Sequence, residues 1–274
     1  MRQRAFKTVP LHILLVLSCI VMSYPFIIII ITAFKSNAEV FQNPIGLPRH
    51  LTFENFITSW RQAGFTGLFR NSIFLTGASM SVASIVASLA AFAIVRRLTR
   101  VSSVVYLLLA AGIFLPLQLA IIPQFRVLKE LGLIDTYVGV ILVYVTTGIP
   151  FGVFLIAAFM KNIPTEIPEA ATIDGASYFR LYWSVYLPLA RPAIGTFLLL
   201  QGVQVWNDYL VPLLLLTDPS KRTLTTGILV FKQQYLAQWG NIMAGVLIMS
   251  VPVIVLFIFA QRYFIQGLYS GSAK

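Results

Sequence analysis

One cysteine, two histidines and nine acidic residues are a thin supply, over 274 positions, of the side chains that hold metals or run acid–base chemistry. Cys19 alone allows no intrachain disulfide and no thiolate cluster, and His12 and His50 lie too far apart in sequence to suggest a shared metal ion. No Gly-x-x-x-x-Gly-Lys-Ser/Thr run occurs, so the chain lacks a phosphate-binding loop of its own. Charged residues make up 11% of the chain, against about 25% in soluble domains, which excludes an ordinary soluble enzyme. Twenty Lys and Arg give a net charge of +11. In a soluble protein that excess would point to nucleic acid. In a chain that is 58% apolar it points instead to anionic headgroups at membrane edges. The sequence reads as an integral membrane protein, with membrane lipid and not nucleic acid as a partner.

What is abundant is apolar length. Residues 8–34, 71–95, 101–125, 136–160 and 233–261 contain no Asp, Glu, Lys or Arg, and 192–217 contains one such residue, Asp208. A hydrocarbon core about 30 Å thick takes about 20 helical residues, so each run is long enough to cross. Six transmembrane helices are predicted, near 11–34, 71–95, 103–124, 137–160, 193–216 and 241–263. The first run is too long for the apolar part of a cleaved signal peptide, and no small-x-small site follows it. The predicted class is all-α and multi-pass. It has a short N-terminus 1–10, a first helix 11–34, a loop 35–70, a five-helix core within 71–265 and a tail 266–274. With the N-terminus inside, the inner segments carry eleven Lys/Arg and the outer ones nine. Arg2, Arg4 and Lys7 beside the first span, and Arg96, Arg97 and Arg100 after the second, favour cytoplasmic termini.

Several polar and small residues stand out inside the spans. Gly77, Ser81, Ser84, Ser88 and Ala91 form one narrow face of the second span, the pattern that lets membrane helices approach closely. Gly148-Ile-Pro-Phe-Gly152 in the fourth is a GxxxG pair around a proline. Proline occurs in five of the six spans, at Pro25, Pro116, Pro150, Pro212 and Pro252, and bent helices suit a transport path better than a passive anchor. In the fifth span Gln201, Gln204, Asn207 and Asp208 fall within roughly a 120° arc, with Trp206 on the other side. That arc is either a wall of a substrate path or a structural polar cluster bonded to another helix.

Between the fourth and fifth spans, residues 161–192 carry signals for two short helices and a turn. Thr165 is placed to cap the first, and Pro168 is tolerable in its first turn. Asp174-Gly175 ends that helix with a residue free to take positive φ. Ser177 can cap a second helix ending before Pro188. Its Phe179, Leu181, Tyr182, Val185 and Tyr186 are expected to lie against the ends of the bundle. The product is a compact elbow, small-faced at Ala170-Ala171, shaped to be gripped by something.

Glu169-Ala170-Ala171, then Asp174-Gly175-Ala176, then Leu187-Pro188-Leu189-Ala190-Arg191-Pro192 resemble the EAA loop of bacterial ABC-importer permeases. Trp206-Asn207-Asp208-Tyr209 with the following Leu-Leu-Thr-Asp-Pro, and the tail from Gln266-Gly267-Leu268 to Lys274, resemble the sugar-importer branch of the maltose and glycerol-phosphate type. The resemblance covers essentially the whole chain. It implies a type I importer-permease fold in a bacterial plasma (inner) membrane. It also implies a non-catalytic subunit that forms half of the path for a carbohydrate or related polyol. Glu169, Ala170, Ala171, Asp174, Gly175, Ala176, Leu187 and Pro188 would then couple to a cytoplasmic ATPase, and ATP and Mg would bind that partner. Implied partners are a second EAA-type permease in a heterodimer, two ATPase subunits and an extracytoplasmic sugar-binding protein. A stand-alone secondary transporter or channel is the alternative. It would be expected to place several ionisable groups at the midplane or to show two related halves, whereas this sequence has one intramembrane acid and no evident repeat. A membrane-embedded hydrolase or transferase would need a nucleophile with a base, or a metal cluster, and the sequence offers no such pattern.

Overall fold

A computed structural model describes residues 2–97, 99–231 and 238–272, and every element among them is helical. In chain order the helices are α1 (Arg2–Ala33), α2 (Asn37–Gln42), α3 (Glu54–Gln62), α4 (Phe65–Arg96), α5 (Arg100–Gly112), α6 (Leu117–Glu130) and α7 (Tyr137–Lys161). They continue with α8 (Glu166–Ile173), α9 (Tyr178–Leu189), α10 (Arg191–Asn207), α11 (Leu210–Leu215), α12 (Leu224–Gly227) and α13 (Trp239–Ser272). Four of the six predicted spans are continuous helices long and apolar enough to cross, over His12–Ala33, Phe65–Arg96, Tyr137–Lys161 and Trp239–Ile258.

The other two predicted spans are broken. The third, near 103–124, divides into α5 and α6 because Pro116 brings no N–H to the ladder and disfavours helical geometry in the residue before it. Pro116 instead becomes the extended N-cap of α6, with ψ 131°. The fifth, near 193–216, divides at Asp208, which is extended (ψ 132°) between α10 and α11. The loop 35–70 is not structureless either. It holds α2, α3 and the first turns of α4, so the second span starts six residues before the predicted 71. Residue 98 and the last two residues of the predicted tail lie outside the described residues.

The chain forms two compact units. One comprises Met1–Thr66 with Gly227–Ile254. Its loop is organised by polar side chains that satisfy the free carbonyls at the end of α1. Asn55 Nδ2 donates to the carbonyls of Ala33 and Lys35 at 2.8 and 2.7 Å. Lys35 is itself fully buried and donates from Nζ to the Asn43 carbonyl at 2.7 Å. Ser59 Oγ reaches the Asn241 carbonyl at 2.8 Å, and Trp239 N–H donates to Asn37 Oδ1 at 3.1 Å. Gly240 is required here, since a Cβ would stand 2.7 Å from Asn55 Nδ2 and 2.9 Å from the Lys35 carbonyl oxygen. Of the apolar span of α1, only Thr32 and Ala33 at its end are buried within the chain.

The second unit comprises Gly67–Thr226 with Val255–Lys274. Its centre is a close approach of α4, α7 and α10. A Cβ at Gly152 would lie 2.8 Å from the Ala87 Cβ and 3.0 Å from the Phe197 ring, whereas one at Gly148 would find ordinary contacts at 3.5–3.8 Å. Gly152, and not Gly148, is therefore the glycine that this packing requires, and the facing stretch of α4 presents Ala83, Ala87 and Ala91, each fully buried. The predicted small face of α4 holds in its lower half, where Ser88 and Ala91 are buried. Gly77 and Ser81 are exposed in the chain. Phe197, with no exposed surface, fills the groove opposite the glycines, a burial worth about 1.5–3 kcal/mol.

Candidate functional site

The elbow begins where α7 ends. Thr165 occupies the N-cap position of α8 but has helical backbone and makes no side-chain cap, contrary to expectation. Its carbonyl accepts from Glu169 N–H at 3.1 Å instead. Glu166 and Glu169 lie in the first turn, where their charge suits the exposed N–H groups, and Pro168 is buried in the same turn.

The far end of α8 explains the spacing of Glu-Ala-Ala and Asp-Gly-Ala. Gly175 takes φ +79°, its N–H donates to the Thr172 carbonyl at 3.0 Å, and Ala176 N–H reaches back to the Ala171 carbonyl at 2.9 Å. These two bonds make a Schellman cap, and the accompanying apolar contact is supplied by Ala171 and Ala176, both packed on the core. The two predicted small residues thus separate: Ala171 faces inward and Ala170 is exposed. No atom comes within 4 Å of a Cβ built on Gly175, so its requirement is conformational.

Ser177 caps α9 as expected, its Oγ accepting from Arg180 N–H at 3.3 Å. Within α9, Leu181, Tyr182 and Tyr186 are buried. Phe179 departs from expectation. It is 73% exposed, because the helix turns it away from the side that carries Tyr182 and Tyr186. The helix also runs through Pro188 to Leu189. Residues 182–186 widen into a π-turn that accommodates the proline, whose ring would otherwise press on a carbonyl one turn back. Leu187 and Pro188 are half-buried. At Ala190, fully buried, the chain bends by 68° into α10. Among the exposed charged residues of the elbow stand uncovered apolar side chains, with Ile173 86% exposed and Phe179, Tyr178 and Trp183 also exposed. Ile173 and Trp183 were not singled out in the sequence. Their signal is large apolar side chains on the same short helices as charged residues.

The polar arc of the fifth span is only partly assembled. Gln201 is half-buried, and Gln204 and Asn207 are exposed on α10. Asp208 leaves the arc. Its Oδ2 accepts from the Tyr144 hydroxyl at 2.9 Å and from Val211 N–H at 3.3 Å, and its Oδ1 from Leu210 N–H at 3.0 Å. Thr225 donates to its carbonyl at 2.7 Å. The carboxylate therefore caps α11 and ties it to α7. Trp206 turns toward α4, with its ring 6.3 Å from that of Phe69.

A charged knot joins the turn before α7 to the segment after α11. Asp135 Oδ1 accepts from Thr217 and Asp218 N–H at 3.0 Å each, and Lys221 Nζ stands 2.9 Å from Asp135 Oδ2. The Asp218 N–H, then Lys221, hold the Asp135 carboxyl below the usual range, and the hydrogen bond to Asp135 raises the Lys221 ammonium. Among the described residues, no three His, Cys, Asp or Glu side chains stand together as a metal site.

A family model described as "Binding-protein-dependent transport system inner membrane component" matches residues 83–268. The chain is 35% identical to a probable starch degradation products transport system permease protein of Thermoanaerobacterium thermosulfurigenes, covering 91% of each chain. It is 31% identical to the melibiose/raffinose/stachyose import permease protein of Bacillus subtilis, covering 99% of each. Its fold superimposes with a TM-score of 0.86, at 24% identity and over 96% and 98% of the two chains, on a chain of a bacterial ABC transporter involved in import of the acidic polysaccharide alginate.

Proposed function

The chain belongs to the family of binding-protein-dependent transport system inner membrane components and is a permease subunit of such an importer, and on that premise we propose that it carries a carbohydrate or related polyol and is driven through its elbow. In this reading Glu169 to Ala176, with Leu187 and Pro188, form the element that a cytoplasmic ATPase subunit grips. ATP and Mg belong to that partner, and the permease subunit performs no chemistry. A second permease of the same kind completes the path, two ATPase subunits drive it, and an extracytoplasmic binding protein delivers the substrate. Both termini lie in the cytoplasm.

The single observation that carries the reading is the Schellman-capped turn at Gly175, which projects exposed Ile173 and Phe179 from a short, rigid element. Uncovered apolar side chains on a soluble-facing elbow favour a protein partner. The substrate class rests on chemistry. Toward the end of α10 the open polar side chains are the amides of Gln201, Gln204 and Asn207, while the one carboxylate nearby is committed to Tyr144 and α11. Amides hydrogen-bond hydroxyl groups without demanding a charge. The test is copurification of the ATPase from detergent-solubilised membranes. The variant Ile173→Glu with Phe179→Glu should lose the ATPase while the permease stays membrane-inserted. Full retention of the ATPase would overturn the docking role.

A further inference from the structure

The elbow is fastened within its own unit by a buried polar contact. The hydroxyls of Ser88 on α4 and Tyr182 on α9 lie 2.8 Å apart, and the two residues are only 1% and 3% exposed. Ser88 Oγ donates to the Ile85 carbonyl at 3.0 Å, so its proton is engaged there and Tyr182 is the donor to Ser88. A directed chain thus runs from the phenol to the backbone of α4. One turn further along α4, the Phe92 ring meets those of Tyr182 and Tyr186 at 5.4 and 5.1 Å between centroids. Tyr182 also opens the π-turn, where its carbonyl accepts from Leu187 N–H. It is held by side chain and backbone together.

We propose that Tyr182 is a positioning residue for transport: its hydrogen bond to Ser88 makes the elbow and α4 move as one body, ahead of the bend at Ala190. The proposal rests on the reading of the elbow as the ATPase-docking element. A hydroxyl pair enclosed by apolar side chains has no water to replace a lost partner, so the contact is stiff: it is either made or broken. The apolar rings and side chains of α9 also pack in one cluster with Val153, Ile156 and Met160 of α7, but such contacts can slide, whereas the hydroxyl pair fixes a register. Displacement of the elbow is therefore delivered to α4 through this bond. From α4 it passes to α7 and α10 through the tight contact of Ala87 with Gly152 and Phe197.

The test uses the complete importer reconstituted in liposomes. Tyr182→Phe keeps the ring and removes the donor. It should leave ATPase copurification and ATP hydrolysis intact while substrate moved per ATP falls about fivefold, the weight of one buried hydrogen bond. Ser88→Ala should give the same fall, and the double variant no more than either alone. A merely structural contact would lower thermal stability and yield but not the ratio. Unchanged substrate per ATP in both single variants would overturn the proposal, and so would loss of ATPase copurification in Tyr182→Phe. The double glutamate variant of Ile173 and Phe179 reports separately on the docking reading, since it leaves the Ser88–Tyr182 contact in place.

Discussion

The Tyr144 hydroxyl donates to Oδ2 of Asp208 across 2.9 Å, linking the first turns of α7 to the break between α10 and α11. An acid that sequence reading places in a polar arc is therefore a structural cap, and it should separate experimentally from its neighbours. Asp208→Ala should lower the thermal stability of the detergent-extracted chain by about 1–3 kcal/mol, since it strands a buried hydroxyl and two N–H groups. Gln204→Ala, on an exposed amide, should stay within about 0.5 kcal/mol of the parent and instead reduce transport. A melt paired with an uptake assay on each variant checks both.

Gly175 has φ +79°. A β-branched side chain there costs roughly 1–2 kcal/mol, whereas Asn tolerates the left-handed region far better. Gly175→Val should leave the spans inserted but weaken ATPase copurification and uptake, and Gly175→Asn should retain most of both.

The close approach at Gly152 gives a graded packing test. Gly152→Val drives atoms into Ala87 and Phe197 and should destabilise by about 1–3 kcal/mol or more. Gly148→Ala meets only ordinary contacts and should be mild. Melting temperature in one detergent compares them directly.

The knot of Asp135 and Lys221 sets a pH window. Asp135 titrates below its ordinary 3.8 in the folded chain, so its contribution is present above that value and fades as pH falls through the depressed one. Lys221 titrates above its ordinary 10.5, so its share is present below that value and fades as pH rises through the raised one. Asp135→Asn should flatten the acid limb of a stability–pH curve by lowering the neutral plateau slightly toward the acid value, a small effect because the pair is exposed to solvent.

With Cys19 replaced by Ser, Thr172→Cys should react with a membrane-impermeant thiol reagent only after cells are opened. Lys221→Cys should react in intact cells. Labelling of position 172 from outside would reverse the proposed orientation.

The elbow was legible in the sequence because its determinants are local. A residue able to take positive φ at 175 and a serine cap at 177 specify the turn within a few positions, whereas the pairing of Ala171 with Ala176 across it, in place of Ala170, is visible only in the fold. The long apolar runs were legible for the same reason, as a property of contiguous residues. The breaks were not. Hydropathy ignores the missing N–H of Pro116, and the extended backbone at Asp208 accompanies a bond to a tyrosine 64 residues away. Small-residue faces were ambiguous because spacing identifies a smooth face without naming its partner. Only Phe197 packed against Gly152 shows which smooth faces meet.

The contact of Ser59 with Asn241 spans 182 residues, and Asn55 and Gly240 meet at the same place. During synthesis at roughly 5–20 residues per second, the amino-terminal unit must wait roughly 10–40 s for the strand of chain that closes it. Through that interval α1 is already made, while Lys35 and Asn55 have only part of their final surroundings. Residues 55 and 59 thus reach their final surroundings only when residues 240 and 241 have followed, which ties the closing of this unit to the synthesis of the chain between them.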